Sequence, residues 1–130
     1  MNPLARDSSD ADLITFVDEW AALLEAEDYE GAFDFTDHVP EMKWTPDLIR
    51  KVIKSYGDAL PQQKVTVAGK PTDIAQRKVV SRWPCNAINE VGEIWYDLNI
   101  DGLVSDLTAT LSVTDTPSGL IVMLNDIHVM

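Results

Sequence analysis

A chain of 130 residues with 45% apolar and 25% charged residues has the composition of one ordinary globular domain. Ten Lys and Arg against 22 Asp and Glu leave a net charge of −12, which argues against nucleic acid, whose phosphates would be repelled without a strong basic patch. No stretch approaches the roughly 18 apolar residues of a membrane span, so no membrane partner is expected.

Residues 1–8 read as a short mobile arm preceding a single domain that takes in the rest of residues 1–130. The arm lacks the basic and then apolar blocks of a signal peptide. The lone Cys85 cannot form an internal disulfide. Together these give the expectation of a cytoplasmic protein, bacterial in style. Ser9 is placed to cap a helix whose first turn holds Asp10 and Asp12, where carboxylates suit the positive end of the dipole. Leu13, Ile14, Val17, Trp20, Ala21 and Leu24 follow at helical spacing, and the pattern runs to about Ala26. A second, short helix is expected from Asp28 to Phe35 with Tyr29, Ala32 and Phe33 inward, and Asp37-His38-Val39-Pro40 breaks it. Thr45 as N-cap with Pro46 behind it marks a third helix, with Leu48, Ile49, Val52, Ile53 and Tyr56 on its buried side and Gly57 at its end. Its exposed Arg50, Lys51 and Lys54 are expected to lie over the acidic first helix.

After Pro61 the period becomes strand-like. Lys64–Ala68 and Arg77–Trp83 alternate, with Lys78, Val80 and Arg82 on one side and Val79, Ser81 and Trp83 on the other. Gly92 to Val113 reads as two strands joined at Asp101-Gly102, the dipeptide that best tolerates a type I′ turn. That register puts Ile94, Tyr96, Leu98 and Ile100 on a core face with Leu103, Leu107, Ala109, Leu111 and Val113. The opposite face carries Glu93, Trp95, Asp97 and Asn99 against Asp106, Thr108, Thr110 and Ser112. Leu120–Leu124 is apolar on both faces, as in a central or covered strand, and Asp126–Met130 reads as a tail.

Three N-terminal helices packed on one face of a curved antiparallel sheet of about five strands is an α+β plan. This order, with the opening helix ending in the acidic-aromatic Glu25-Ala26-Glu27-Asp28-Tyr29, resembles the nuclear-transport-factor-2-like (cystatin-like) superfamily. The resemblance implies a cavity between a bent sheet and the helices. It also implies a choice among isomerases and dehydratases, ligand-binding domains, dimerisation modules and bacterial toxin-immunity proteins. The superfamily has no diagnostic motif, so no functional residue is carried over. The stretch from Gly92-Glu93-Ile94-Trp95 to Ser105-Asp106-Leu107-Thr108 also resembles an uncharacterised bacterial family.

Charge is unevenly placed: residues 1–42 carry a net −11, 43–82 a net +6 and 83–130 a net −7. The plainer reading is that these segments pair within the fold; the sharper one is a surface that recruits a basic partner. A catalytic set is not visible. Cys85, His38 and His128 are far apart in sequence, no Gly-x-Ser-x-Gly elbow occurs, and no zinc-ligand spacing is present. Asp97 to Thr108 fits an EF-hand loop at several positions but has Thr108 where the bidentate Glu belongs, and strands flank it where helices should. Neither metal nor cofactor is therefore expected.

One tension stands out. A two-residue turn sets Asp97 directly opposite Asp106, and like charges so placed cost a few tenths to about 1 kcal/mol. The compensation expected is Lys78 or Arg82 from the neighbouring strand, a cation, or a partner's Lys or Arg. A four-residue turn would instead set Val104 opposite Asp97. Trp95, ringed by Glu93, Asp97 and Asp106, has the makings of an anchor for a cationic protein. The reading is a non-enzymatic binding protein, most concretely an immunity protein that neutralises a basic toxin through Glu93, Trp95, Asp97, Asn99, Asp106 and Thr108. The alternatives are a small-molecule-binding domain or isomerase/dehydratase-type enzyme with Tyr96, Tyr29 or Tyr56 in a pocket, and a homodimer meeting around Trp95.

Overall fold

A computed structural model describes residues 3–129. Helix α1 spans Asp10–Glu25 and opens with a reciprocal cap: Ser9 Oγ accepts from the Asp12 N–H at 3.1 Å, and the Asp12 carboxylate accepts from the Ser9 N–H at 3.0 Å. It buries Leu13, Val17, Trp20, Ala21 and Leu24 as the spacing predicts, and Phe16 as well, whose ring stacks on Phe35 at 4.5 Å. Phe35 ends α2, Tyr29–Phe35, capped by Asp28. Helix α3, Pro46–Lys54, begins where Thr45 Oγ1 accepts from the Leu48 N–H at 3.0 Å.

Six strands follow or intervene: β1 Asp37–His38, β2 Val65–Thr66, β3 Lys78–Arg82, β4 Glu90–Ile100, β5 Leu103–Thr116 and β6 Gly119–Val129. The sheet order is β1-β6-β5-β4, with β2 and β3 both pairing along the far side of β4. The α+β plan with helices against a curved sheet is what the chain adopts. Its sheet is mixed, however, because β1 runs parallel to β6. No two-residue strand is readable from alternation, and the His38 that forms it is fixed non-locally and by its neighbours, donating from Nε2 to the Phe33 carbonyl at 2.6 Å.

Two segments differ from expectation. Residues 3–8 are not a free arm: Leu4 exchanges two backbone hydrogen bonds of 2.8 Å with Leu120, and Arg6 Nε reaches Asp115 at 2.8 Å. The rest of the expected arm and Met130 lie outside the described residues. The expected tail from Asp126 is the end of β6, paired with β5 from Leu107↔Val129 onward.

One contiguous core joins the helices to the inner sheet face, where Ile94, Tyr96, Leu98, Leu111, Val122 and Leu124 are sealed. At that inner face the basic β3 meets acidic α1, with Lys78 Nζ 2.9 Å from Asp18 and Arg82 Nε 2.7 Å from Asp10. Lys54 of α3 pairs with Glu27 just beyond α1, as the charge pattern anticipates. These exposed or half-exposed pairs stabilise by less than about 1 kcal/mol each, and they place the segments more than they hold them.

Candidate functional site

The Asp101-Gly102 turn forms as predicted. Both residues have positive φ, +51° and +80°, and Ile100 pairs with Leu103 and Asn99 with Val104. Beyond that pair the register shifts: Asp97 stands opposite Thr108, not Asp106. A bulge at Ser105–Leu107 supplies the extra residues. The Ser105 hydroxyl organises it, donating to the Leu98 carbonyl at 2.6 Å and accepting from the Leu107 N–H at 3.2 Å. Because the shift is by two residues, every side chain keeps its face, and the inward set is buried except for Leu103, which lies beside the turn and is 51% exposed. The like-charge pair vanishes, and Asp106 turns to accept from the Tyr56 hydroxyl of the segment after α3.

Three rows of outward side chains then cross the sheet. The first is Arg77, Asp97, Thr108 and His128; the second Val79, Trp95, Thr110 and Asp126; the third Ser81, Glu93, Ser112 and Met123. The first row is closed. Asp97 is only 2% exposed. Its Oδ2 accepts from the Arg77 backbone N–H and Nε, each at 2.9 Å, and its Oδ1 accepts from Thr108 Oγ1 at 2.8 Å. Burial acts to raise the Asp97 pKa, but the Arg77 guanidinium, the Thr108 hydroxyl and the Arg77 amide together outweigh it and hold the carboxyl below its usual range. Lys78 and Arg82, the cations expected here, face the opposite side of the sheet. Asn99 is sealed beneath the segment 67–70, where its Nδ2 donates to the Val67 carbonyl at 2.9 Å and Gly69 lies so close that a Cβ there would sit 2.3 Å from Asn99 Cγ. The expected outward ring is thus corrected at four of its six positions. Asp97, Asn99 and Thr108 are buried, and Asp106 is drawn toward Tyr56. The same bonds occupy the Asp97 oxygens that an EF-hand reading would give to calcium.

The second and third rows are open at their β3 and β4 ends, while their β5 members Thr110 and Ser112 are buried. Trp95 is 37% exposed and Val79 beside it 48%. Trp95 Nε1 donates to Glu93 Oε1, which places a carboxylate beside the indole. Val79, Met123 and Asp126 join this surface without having been singled out in the sequence. The alternation of 77–83 assigned Val79 a side, but not its alignment with Trp95.

The inner face has its own polar cluster. The Tyr96 hydroxyl donates to Asp18 Oδ1 at 2.6 Å, and the same oxygen meets Lys78 Nζ, which lies 5.2 Å from the Tyr96 ring centroid. Burial, then the Asp18 hydrogen bond and charge, push the Tyr96 hydroxyl well above its usual range. With Tyr96 only 1% exposed, this set ties α1 to the sheet and its hydroxyl has no access to a substrate. Cys85 is exposed and unpaired, and among the described residues no three His, Cys, Asp or Glu converge on a metal-sized site. Among those residues, too, no helix is long and apolar enough to cross a membrane. An open groove of about 490 Å³ lies between α3 and the ends of β5 and β6, lined by Leu48, Val52, Tyr56, Leu107 and Ile127 with Lys51 and His128 at its rim.

Comparison with protein-family models, curated proteins and solved structures returns no match.

Proposed function

We propose that this chain is a non-enzymatic binding module that docks on a basic protein through the open half of its outer sheet face, in the manner of an immunity protein that neutralises a cationic toxin. The observation that carries the reading is Trp95, exposed next to Val79 and bonded to Glu93 on a chain of net charge −12. An aromatic anchor with an apolar neighbour and a carboxylate rim suits a cationic surface, and the field of the whole molecule speeds the encounter. In this reading Glu93, Trp95, Val79 and Asp126 make the contact, whereas Asp97, Asn99 and Thr108 hold the hairpin beside them.

The test is co-expression with the product of the neighbouring reading frame. An immunity role predicts that the chain protects growth and that Trp95→Ala does not. It also predicts an affinity that falls as salt rises from about 50 to 500 mM. Protection by Trp95→Ala, or an affinity indifferent to salt, overturns it. A homodimer through the same face is read out by the mass of the chain alone, before and after Trp95→Ala. The groove beneath α3 favours a second reading, a small-molecule site, since its size and apolar lining fall in the range that ligands occupy.

A further inference from the structure

Strand β3 is an edge. It pairs with β4 on one side, and among the described residues no strand pairs with its other side. The pairing fixes which backbone groups are free. The Asp97 N–H donates to the Arg77 carbonyl at 2.9 Å and the Trp83 N–H to the Val91 carbonyl at 3.1 Å, so residues 77, 79, 81 and 83 bond toward β4. The N–H and C=O of Lys78, Val80 and Arg82 therefore point away from the sheet. Natural edges are commonly guarded by proline, by a bulge, or by a charged side chain turned inward. β3 has no proline and no register shift, and its two inward charges, Lys78 and Arg82, are already neutralised by Asp18 and Asp10, so neither is left unpaired against an incoming strand. Gly92 keeps this strand close: a Cβ there would meet the Ser81 carbonyl oxygen at 2.5 Å.

We infer that the free edge of β3 accepts an extended strand of the basic partner. That strand runs antiparallel to β3, with an apolar residue beside Val79 and a Lys or Arg beside Ser81. Backbone bonds to Lys78, Val80 and Arg82 supply the pairing, as in other cases of strand addition. On the outer face the apolar residue extends the Val79–Trp95 row, and the cation extends the Ser81–Glu93 row. A second copy fits poorly. In an antiparallel β3–β3 pairing centred on Val80, Lys78 of each copy stands beside Arg82 of the other, and two chains of −12 repel. Only the choice of a basic residue rests on the function proposed above; the strand docking does not.

The experiment titrates the ¹⁵N-labelled chain with a blocked peptide, Thr-Ser-Thr-Lys-Thr-Val-Thr-Ser-Thr, whose central Thr faces Val80. The expected result is that the amides of Lys78, Val80 and Arg82 shift together and gain exchange protection, and that N-methylation of the central Thr weakens binding about tenfold or more. No shift at those amides at millimolar peptide, or equal binding by the N-methylated peptide, overturns the inference. Replacing the peptide's Lys by norleucine separates the two ideas. Weakened, salt-insensitive binding supports both. Unchanged binding at the same amides leaves strand docking standing and removes the case for a basic partner.

Discussion

The two ends of the outer sheet face are built from the same kind of strand and do opposite things. Toward the hairpin turn, Asp97, Asn99 and Thr108 look outward from β4 and β5 but are sealed by Arg77 and by the segment 67–70; the Asp97 carboxylate, the Thr108 hydroxyl and the Asn99 Nδ2 are drawn into local bonds, whereas Asn99 Oδ1 is buried without a partner. Toward the other end no segment crosses over Trp95 and Val79, which are 37% and 48% exposed, and Trp95 bonds to a partly exposed Glu93. The difference teaches that the face of a residue in a strand does not decide its exposure. Coverage does, and here it comes from a loop more than thirty residues earlier in the chain that crosses beside the turn. The closed end holds the hairpin in register; the open end is left for something else.

The sharpest way to break that contrast is Asp97→Ala. It leaves the Arg77 backbone N–H and the Thr108 hydroxyl without their carboxylate acceptor, and it should destabilise the fold by about 2–3 kcal/mol in urea denaturation. A loss below about 0.5 kcal/mol would mean the closed end is not structural. Gly69→Ala drives a Cβ into Asn99, which has no room to move, and should cost about 2 kcal/mol by the same assay.

Acid sharpens the comparison further. Since the folded Asp97 pKa is depressed, its contribution is present above the unfolded value of about 4 and is lost as pH falls through the folded value. The stability gap between the natural chain and Asp97→Asn should therefore narrow as the pH is lowered from about 6 toward about 3. A gap that stays constant across that range would show that Asp97 is not held ionised by Arg77. At the open end Trp95→Ala should change stability least, by under about 1 kcal/mol, because the indole is partly in water already. A loss as large as that of Asp97→Ala would make Trp95 a structural residue and not an anchor.

Local chemistry carried the legible part of this molecule. Ser9 with Asp12 and Thr45 with Leu48 set helix starts through bonds that span three residues, and Asp101-Gly102 set the hairpin through its own φ angles. Alternation then assigned each strand residue a face, and the even shift of the bulge preserved it. What was not legible is non-local. The bulge at Ser105–Leu107 depends on the Ser105 hydroxyl reaching Leu98 across the ladder. The partner of Asp97 is Arg77, at the start of the alternating stretch, in place of the expected Lys78 or Arg82, and β1 exists only because β6 lies beside it.

The sequence by itself determined the helices, the turn and the inward aliphatic stripe, since each follows from interactions within a few residues or from a strict period. Only the tertiary structure decided which outward residues a partner could reach. Exposure is a property of what lies on top of a residue, and the loop that seals Asn99 while sparing Trp95 finds its place by pairing with the hairpin, not by any signal in its own composition.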